Sequence, residues 1–189
     1  MTATTTPAAP EAAPGDGRGR PSAWRYVILV VLVLFAVFWI WALFFASKEA
    51  VNRIDDTAWA ARAEGICVEA RAERMKLIDL RKIEEGDRAM LAERAAIVDR
   101  ATDIVEQMLD AVVAVPPSDA KGQAIVPDWE ADYRMYIGDR REFADELRAG
   151  RNQPFSETAV DGIPITEKLA TFAGDNRMPT CSPPIDLAA

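Results

Sequence analysis

Residues 88–115 read RAMLAERAAIVDRATDIVEQMLDAVVAV, and this stretch decides the fold class. Leu91, Val98, Val105 and Val112 recur every seven residues, and Ile97, Ala101, Ile104, Met108 and Val115 widen the stripe beside them. Arg94, Asp99, Arg100, Asp103, Glu106 and Asp110 mostly take the other positions. Such a period is that of an amphipathic helix, serving as a coiled-coil-like seam or as the core face of a bundle helix. Pro116 and Pro117 stop it, because a proline pushes the residue before it out of helical backbone space.

Toward the N-terminus, residues 57–83 form a second candidate helix. Trp59, Ala63, Ile66, Ala70, Leu77 and Leu80 recur at three- and four-residue steps, with a break at Glu73 and Arg74. Gly65 weakens it by about 1 kcal/mol relative to alanine. Glu84 to Asp87 reads as the turn between the two helices, with a continuous helix through Gly86 as the other reading. Toward the C-terminus, a polar linker from Ser118 to Val126 leads to a helix expected from Pro127, a favoured first-turn residue, to Ala149 before Gly150. Trp129, Tyr133, Tyr136, Phe143 and Leu147 share one of its faces. Glu130–Arg134 and Arg141–Asp145 are opposite-charge pairs one turn apart, worth about 0.2–0.5 kcal/mol each. Beyond Gly150, five prolines (Pro154, Pro164, Pro179, Pro183, Pro184) exclude long elements. A short helix over Thr166–Ala173, ended by Gly174, lays Leu169 and Phe172 on the other helices, and the remainder is expected to be extended and docked.

Near the other end stands YVILVVLVLFAVFWIWALFFA, Tyr26 to Ala46, without a charge, proline or glycine. At about 1.5 Å per residue this run spans roughly 31 Å, the hydrocarbon thickness of a bilayer. It is too long for a cleavable signal, and bulky residues occupy the −3 position of the nearby cut sites, so it reads as an uncleaved anchor. Trp24, Tyr26, Trp39 and Trp41 resemble interfacial aromatic belts. Arg18, Arg20 and Arg25 precede the span, and Lys48 and Arg53 follow it, a bias toward a cytoplasmic N-terminus. The segment after the span carries 19 basic and 28 acidic residues. That balance argues against nucleic acid, whose binding needs a basic face. Residues 1–22, rich in Ala, Thr and Pro, carry no apolar periodicity and read as a disordered tail.

Two cysteines, Cys67 and Cys181, lie far apart. In a small extracytoplasmic domain such a pair is usually a disulfide, which here closes a long loop and staples the C-terminal tail. Two free thiols or an intermolecular bridge are the other readings. The chain has no histidine, which removes His-dependent nucleophile pairs, His metal ligands and a His pH switch. Ser118-Asp119-Ala120-Lys121 matches the S-x-x-K nucleophile motif, but its companion motifs and scaffold are missing, and a serine after two prolines is an ordinary turn or capping residue. Asp128, Glu130 and Asp132 alternate like the start of a calcium loop, yet lack its glycine and closing glutamate. At a helix start they favour the positive dipole end. The aromatic set Trp129, Tyr133, Tyr136 and Phe143 reads as core, or as a face for a partner.

The segment Trp59-Ala60-Ala61-Arg62-Ala63-Glu64-Gly65-Ile66-Cys67 resembles the W-A-x-x-A-x-x-I-C opening of a loose group of actinobacterial membrane-anchored helical-bundle proteins. In that group a helical bundle follows, often with a proline break after an acidic-apolar helix, and a second cysteine lies near the C-terminus. Here RATDIVEQMLDAVVAVPP, Arg100 to Pro117, and Cys181 take those places, the resemblance covering residues 57–149 plus Cys181. The Pro-rich tail after Gly150 departs from the pattern. The resemblance implies fold and location and carries no activity.

The expected fold is all-α: one transmembrane helix plus an extracytoplasmic antiparallel three- or four-helix bundle with a Pro-rich docked tail. The divisions are 1–25 tail, 26–46 span, 47–150 bundle and 151–189 irregular tail. The expected role is that of an accessory or scaffolding subunit binding other envelope proteins, without enzymatic activity or cofactor and with self-association open. The alternative is an extracytoplasmic ligand-binding or sensory bundle that signals through a partner.

Overall fold

The structure, a computed structural model, describes residues 23–45, 50–84 and 86–186. It divides into two units. In the first, helix α1 (Ala23–Phe44) has 22 residues, a mean hydropathy of 3.1 over its most apolar window, and no buried residue. By length and composition it is able to cross a membrane. It starts three residues before the expected span. The disordered tail expected over residues 1–22 and the position of Lys48 lie outside the described residues.

The second unit is mainly helical. Helix α2 (Thr57–Met75) begins at Asp56, whose carboxylate accepts from the Trp59 N–H at 2.8 Å. It buries Trp59, Ala60, Ala63 and Cys67. The helix expected to reach residue 83 stops at Met75. Its last buried residue is Cys67 and beyond it only Ala70 packs on the apolar core, so little burial sustains further turns. Asp79 also captures the N–H of Arg81 at 3.1 Å, a local bond that competes with helix.

Helix α3 (Arg88–Val113) is capped by Asp87 and follows Gly86, whose φ of 83° suits glycine. Leu91, Val98, Val105 and Val112 are all buried, as the seven-residue period requires. Val115, read as part of the stripe, lies beyond the helix and is exposed.

Helix α4 runs from Ala120 to Arg148. The expected linker 118–126 and the start at Pro127 are therefore corrected. Asp119 caps the helix by accepting from the Gly122 N–H at 2.7 Å. Gly122 and Val126 are buried in its first two turns, and that packing outweighs the bond Pro127 cannot donate to Gln123. Gly122 has a steric role too: a Cβ there would stand 2.7 Å from Cβ of Pro117. The starts of α2 and α4 cap each other, because Asp56 accepts from the Ser118 N–H and hydroxyl while its own N–H donates to Asp119.

Helices α3 and α4 pack in opposite directions. Arg134 pairs with Asp110, Arg141 with Asp103, and Arg148 with Asp99, so rising numbers on one meet falling numbers on the other. Beneath this ladder lie two apolar clusters. The larger joins Trp59 and Cys67 of α2, Val105 and Leu109 of α3, Trp129 and Tyr133 of α4, and Leu169 and Phe172 beyond. The smaller joins Leu91, Ala95 and Val98 to Ala144 and Leu147.

A two-stranded hairpin intervenes that the all-α expectation omitted. Strands β1 (Ala159–Val160) and β2 (Ile163–Pro164) pair antiparallel around Asp161 and Gly162, both with positive φ. Asp-Gly is the sequence such a tight turn favours. Helix α5 (Ile165–Asp175) then runs through Gly174, the expected stop. It closes instead at Asn176 and Arg177, where the Met178 N–H reaches back to the Ala173 carbonyl. The Asn176 amide oxygen accepts from Ile54 and its NH2 donates to the Asn52 carbonyl, tying this end to the start of the unit. A 3-10 turn, Pro179–Cys181, follows, and Cys181 is disulfide-bonded to Cys67 across 114 residues.

Candidate functional site: an arginine-lined groove beside the C-terminal strap

The stretch from Pro179 to Asp186 lies as a strap over the helices, and residue chemistry explains why it stays. Thr180 donates both its N–H and its hydroxyl to Glu64, at 3.0 and 2.6 Å. Tyr133 and Tyr136 donate their hydroxyls to the carbonyls of Cys181 and Pro184, each at 2.9 Å. Arg140, wholly buried on α4, reaches Asp186 with two nitrogens at 2.7 and 3.1 Å and also donates to Thr102 and the Tyr136 hydroxyl. Its guanidinium lies 5.6 Å from the centre of the Tyr136 ring.

The charges around this clamp shift accordingly. Burial pushes the Asp186 carboxyl up, but hydrogen bonding and charge from Arg140, with help from Arg74, outweigh it and hold the group below the usual carboxylate range. Burial works against the Arg140 cation, and Asp186 and Tyr136 restore it, so its pKa is raised. Desolvation raises the Tyr136 hydroxyl above ordinary tyrosine and the Tyr133 hydroxyl well above it.

The aromatic set proposed as an interaction face is placed plainly. Trp129, Tyr133 and Tyr136 are buried, with Trp129 stacked on Phe172 of α5 at 5.3 Å and edge-on to Tyr133 at 5.2 Å. Phe143 is half-buried and meets Phe155 edge-on. As a face for another protein Trp129, Tyr133 and Tyr136 are corrected, because they are buried and the two hydroxyls are spent on strap carbonyls, whereas Phe143 stays partly exposed and lines the groove described next. Ser118 of the S-x-x-K match donates to Asp56 and serves as a capping residue. Of the acidic trio, Glu130 pairs with Arg134 and Asp132 with Lys168.

Beside the strap lies a groove of about 560 Å³. The last turn of α2, residues 77–80, the middle of α3, Phe143 and the strap form its walls. Leu77, Ile78, Ile97, Val98, Phe143 and Pro183 make it mainly apolar, and the neighbouring Leu80 and Ile185 are almost fully exposed, at 92% and 88%. Three cations line it: Arg71, Arg74 and Arg94. Two carboxylates, Asp79 and Asp186, line it as well. Asp79 is held by two nitrogens of Arg81 at 2.9 and 2.8 Å, and that bonding lowers its pKa to about 2. Sequence reasoning did not single out these arginines. The visible signal was the break at Glu73 and Arg74, where the apolar stripe of α2 gives way to charge.

Comparison with family models, with curated proteins and with solved structures finds no match to this chain.

Proposed function

We propose that this chain is a single-pass membrane protein whose second unit is an extracytoplasmic antiparallel helical bundle, stapled by Cys67–Cys181, that serves as a non-enzymatic accessory subunit for another envelope protein. The anchor-like helix α1 supports membrane residence. The excess of arginine before the span supports a cytoplasmic N-terminus, and a disulfide supports an oxidising compartment for the domain. The observation that carries the binding role is the groove, where an apolar concavity adjoins the exposed side chains of Met75, Ile78, Leu80 and Ile185. Contiguous exposed apolar surface on a folded domain marks a place of contact. A span shared with the partner's membrane raises the local concentration of both.

Co-purification of the full chain from native membranes in a mild detergent, with partners identified by mass spectrometry, tests this reading. A stoichiometric envelope protein that Ile78→Asp or Leu80→Asp releases supports it. Recovery of the chain alone, as monomer or homodimer, refutes it. Maleimide labelling of intact cells tests the orientation: labelling of both cysteines only after reductant is expected, and labelling only after permeabilisation reverses the topology. The second reading, a ligand-binding bundle, is favoured by the volume of the same groove, which lies in the range of small-molecule sites.

A further inference from the structure

The three arginines that line the groove are not balanced by the carboxylates that line it with them. Asp186 is held through two oxygens by Arg140, and Asp79 by two nitrogens of Arg81, and neither Arg140 nor Arg81 lines the groove. What remains for the lining cations is looser. Arg74 donates to Asp186 at 3.4 Å, and Arg94 presents Nε 3.7 Å from Asp79 while its terminal NH2 donates to the Arg81 carbonyl at 2.7 Å. Arg71 makes no ion pair among the described residues. Arg74 and Arg94 are nevertheless largely out of water, with side chains 13% and 20% exposed, and the buried Nε of Arg94 has no hydrogen-bond partner among the described residues. Cations withdrawn from water whose counter-charges are shared with other arginines are costly to keep, so a bound anion recovers free energy there. This surplus sits in a unit whose overall charge is acidic.

We propose that the groove binds an anionic amphiphile with a single acyl chain, its carboxylate or phosphate head on Arg71, Arg74 and Arg94 and its chain along Leu77, Ile78, Ile97 and Phe143. The head obtains charge-assisted donors in a partly dry setting, where such bonds are roughly twice as strong as neutral ones. The chain covers apolar surface that water otherwise touches, each buried methylene contributing about 0.8 kcal/mol. Head and chain are recognised by different parts of one groove, so a neutral chain or a short anion fills only half of it. This inference deepens the ligand-binding reading and competes with the accessory-subunit reading for the same groove, since Ile78 lies in both contacts; myristate retention and co-purification read the two separately.

The test uses the full chain in nanodiscs of zwitterionic phosphatidylcholine, titrated with radiolabelled myristate and corrected against empty nanodiscs. Saturable retention near one myristate per chain is expected, with tetradecanol retained at least about tenfold more weakly, the usual range for one lost charge-assisted bond. Arg71→Gln/Arg74→Gln weakens myristate by at least about tenfold and leaves tetradecanol unchanged, while Lys121→Gln changes neither. Where the double variant melts early, Arg71→Gln alone, at an exposed site, carries the same comparison. Ile97→Trp fills the groove and abolishes both. Adding lysophosphatidylglycerol to the phosphatidylcholine separates the sources: displacement of myristate assigns the ligand to a single-chain anionic membrane lipid, and undiminished retention assigns it to a free acid. Absence of retention above empty nanodiscs overturns the proposal. So does equal retention of myristate and tetradecanol, or crosslinking of a partner's acidic peptide at Ile97 in a chain that takes up no myristate.

Discussion

Removing the bond between Cys67 and Cys181 tests how the second unit holds its ends together. The bridge joins residues separated by 114 positions, from the third turn of α2 onward to the strap. On the chain-entropy account, closing a loop of that length lowers the entropy of the unfolded ensemble by an amount worth about 4–5 kcal/mol at 25 °C. A domain of about 140 residues unfolds with an entropy near 0.3 kcal/mol/K, so that loss lowers the melting temperature by roughly 15 °C. The perturbation is Cys67→Ala/Cys181→Ala in the full chain, melted in detergent and followed by far-UV circular dichroism. The amplitude from α1 remains as a baseline, and the loss from the domain is the signal. Cys67→Ala alone should cost nearly as much as the double variant, because one thiol cannot make the bridge. Below the melt the variant keeps its fold, since Glu64, Tyr133, Tyr136 and Arg140 still hold the strap. Amides of residues 179–186 then exchange faster than those of α3. A fall in melting temperature under about 5 °C, or single-variant costs that add to the double, refutes the staple as the main link between the two ends.

Gly122→Ala should destabilise by about 1–3 kcal/mol, because its Cβ meets Pro117 at 2.7 Å and Asp119 Oδ1 at 2.8 Å, and a chemical denaturation midpoint reads the change. Arg140→Met leaves Asp186 and the Tyr136 hydroxyl without their cation; breaking a buried pair costs about 3–5 kcal/mol, but release of the strap end caps the loss nearer the lower figure. Faster amide exchange near Asp186 and a lower melting temperature are the expected readouts, and an unchanged melt sinks the clamp. Acid should loosen the unit in a defined window. Asp56 and Asp186 have pKa values below their ordinary 3.8, Asp56 near 2 chiefly through its bonds from Ser118, and Asp186 through Arg140 against the opposing effect of burial. Their ionised forms therefore contribute stability that is present above about pH 4 and lost as pH falls toward 2. Asp56→Asn should flatten that acid limb, and a melting temperature constant from pH 6 to 2 refutes the assignment.

Sequence by itself determined what depends on local pattern. The uninterrupted apolar run settled α1, since twenty or so residues without charge admit one kind of helix. The seven-residue period settled α3 and its buried face, because Leu91, Val98, Val105 and Val112 lie on one side of any helix they join. The Asp161-Gly162 turn was equally legible, yet two-residue strands leave no alternation to notice. The tertiary structure alone decided where elements stop and what the charges do. Helix α2 ends at Met75, where little beyond Ala70 packs on its later turns, and α4 begins at Ala120, capped by Asp119, not at the more obvious Pro127, because Gly122 and Val126 find buried places. The aromatic face of α4 became interior because α5 and the strap cover it, segments distant in the chain. The groove is the clearest case: Arg71, Arg74 and Arg94 gain their meaning from carboxylates already claimed by Arg81 and Arg140. Periodicity records which side of an element is apolar. Pairing and burial are sums over residues far apart in sequence, and only the folded chain brings them within reach.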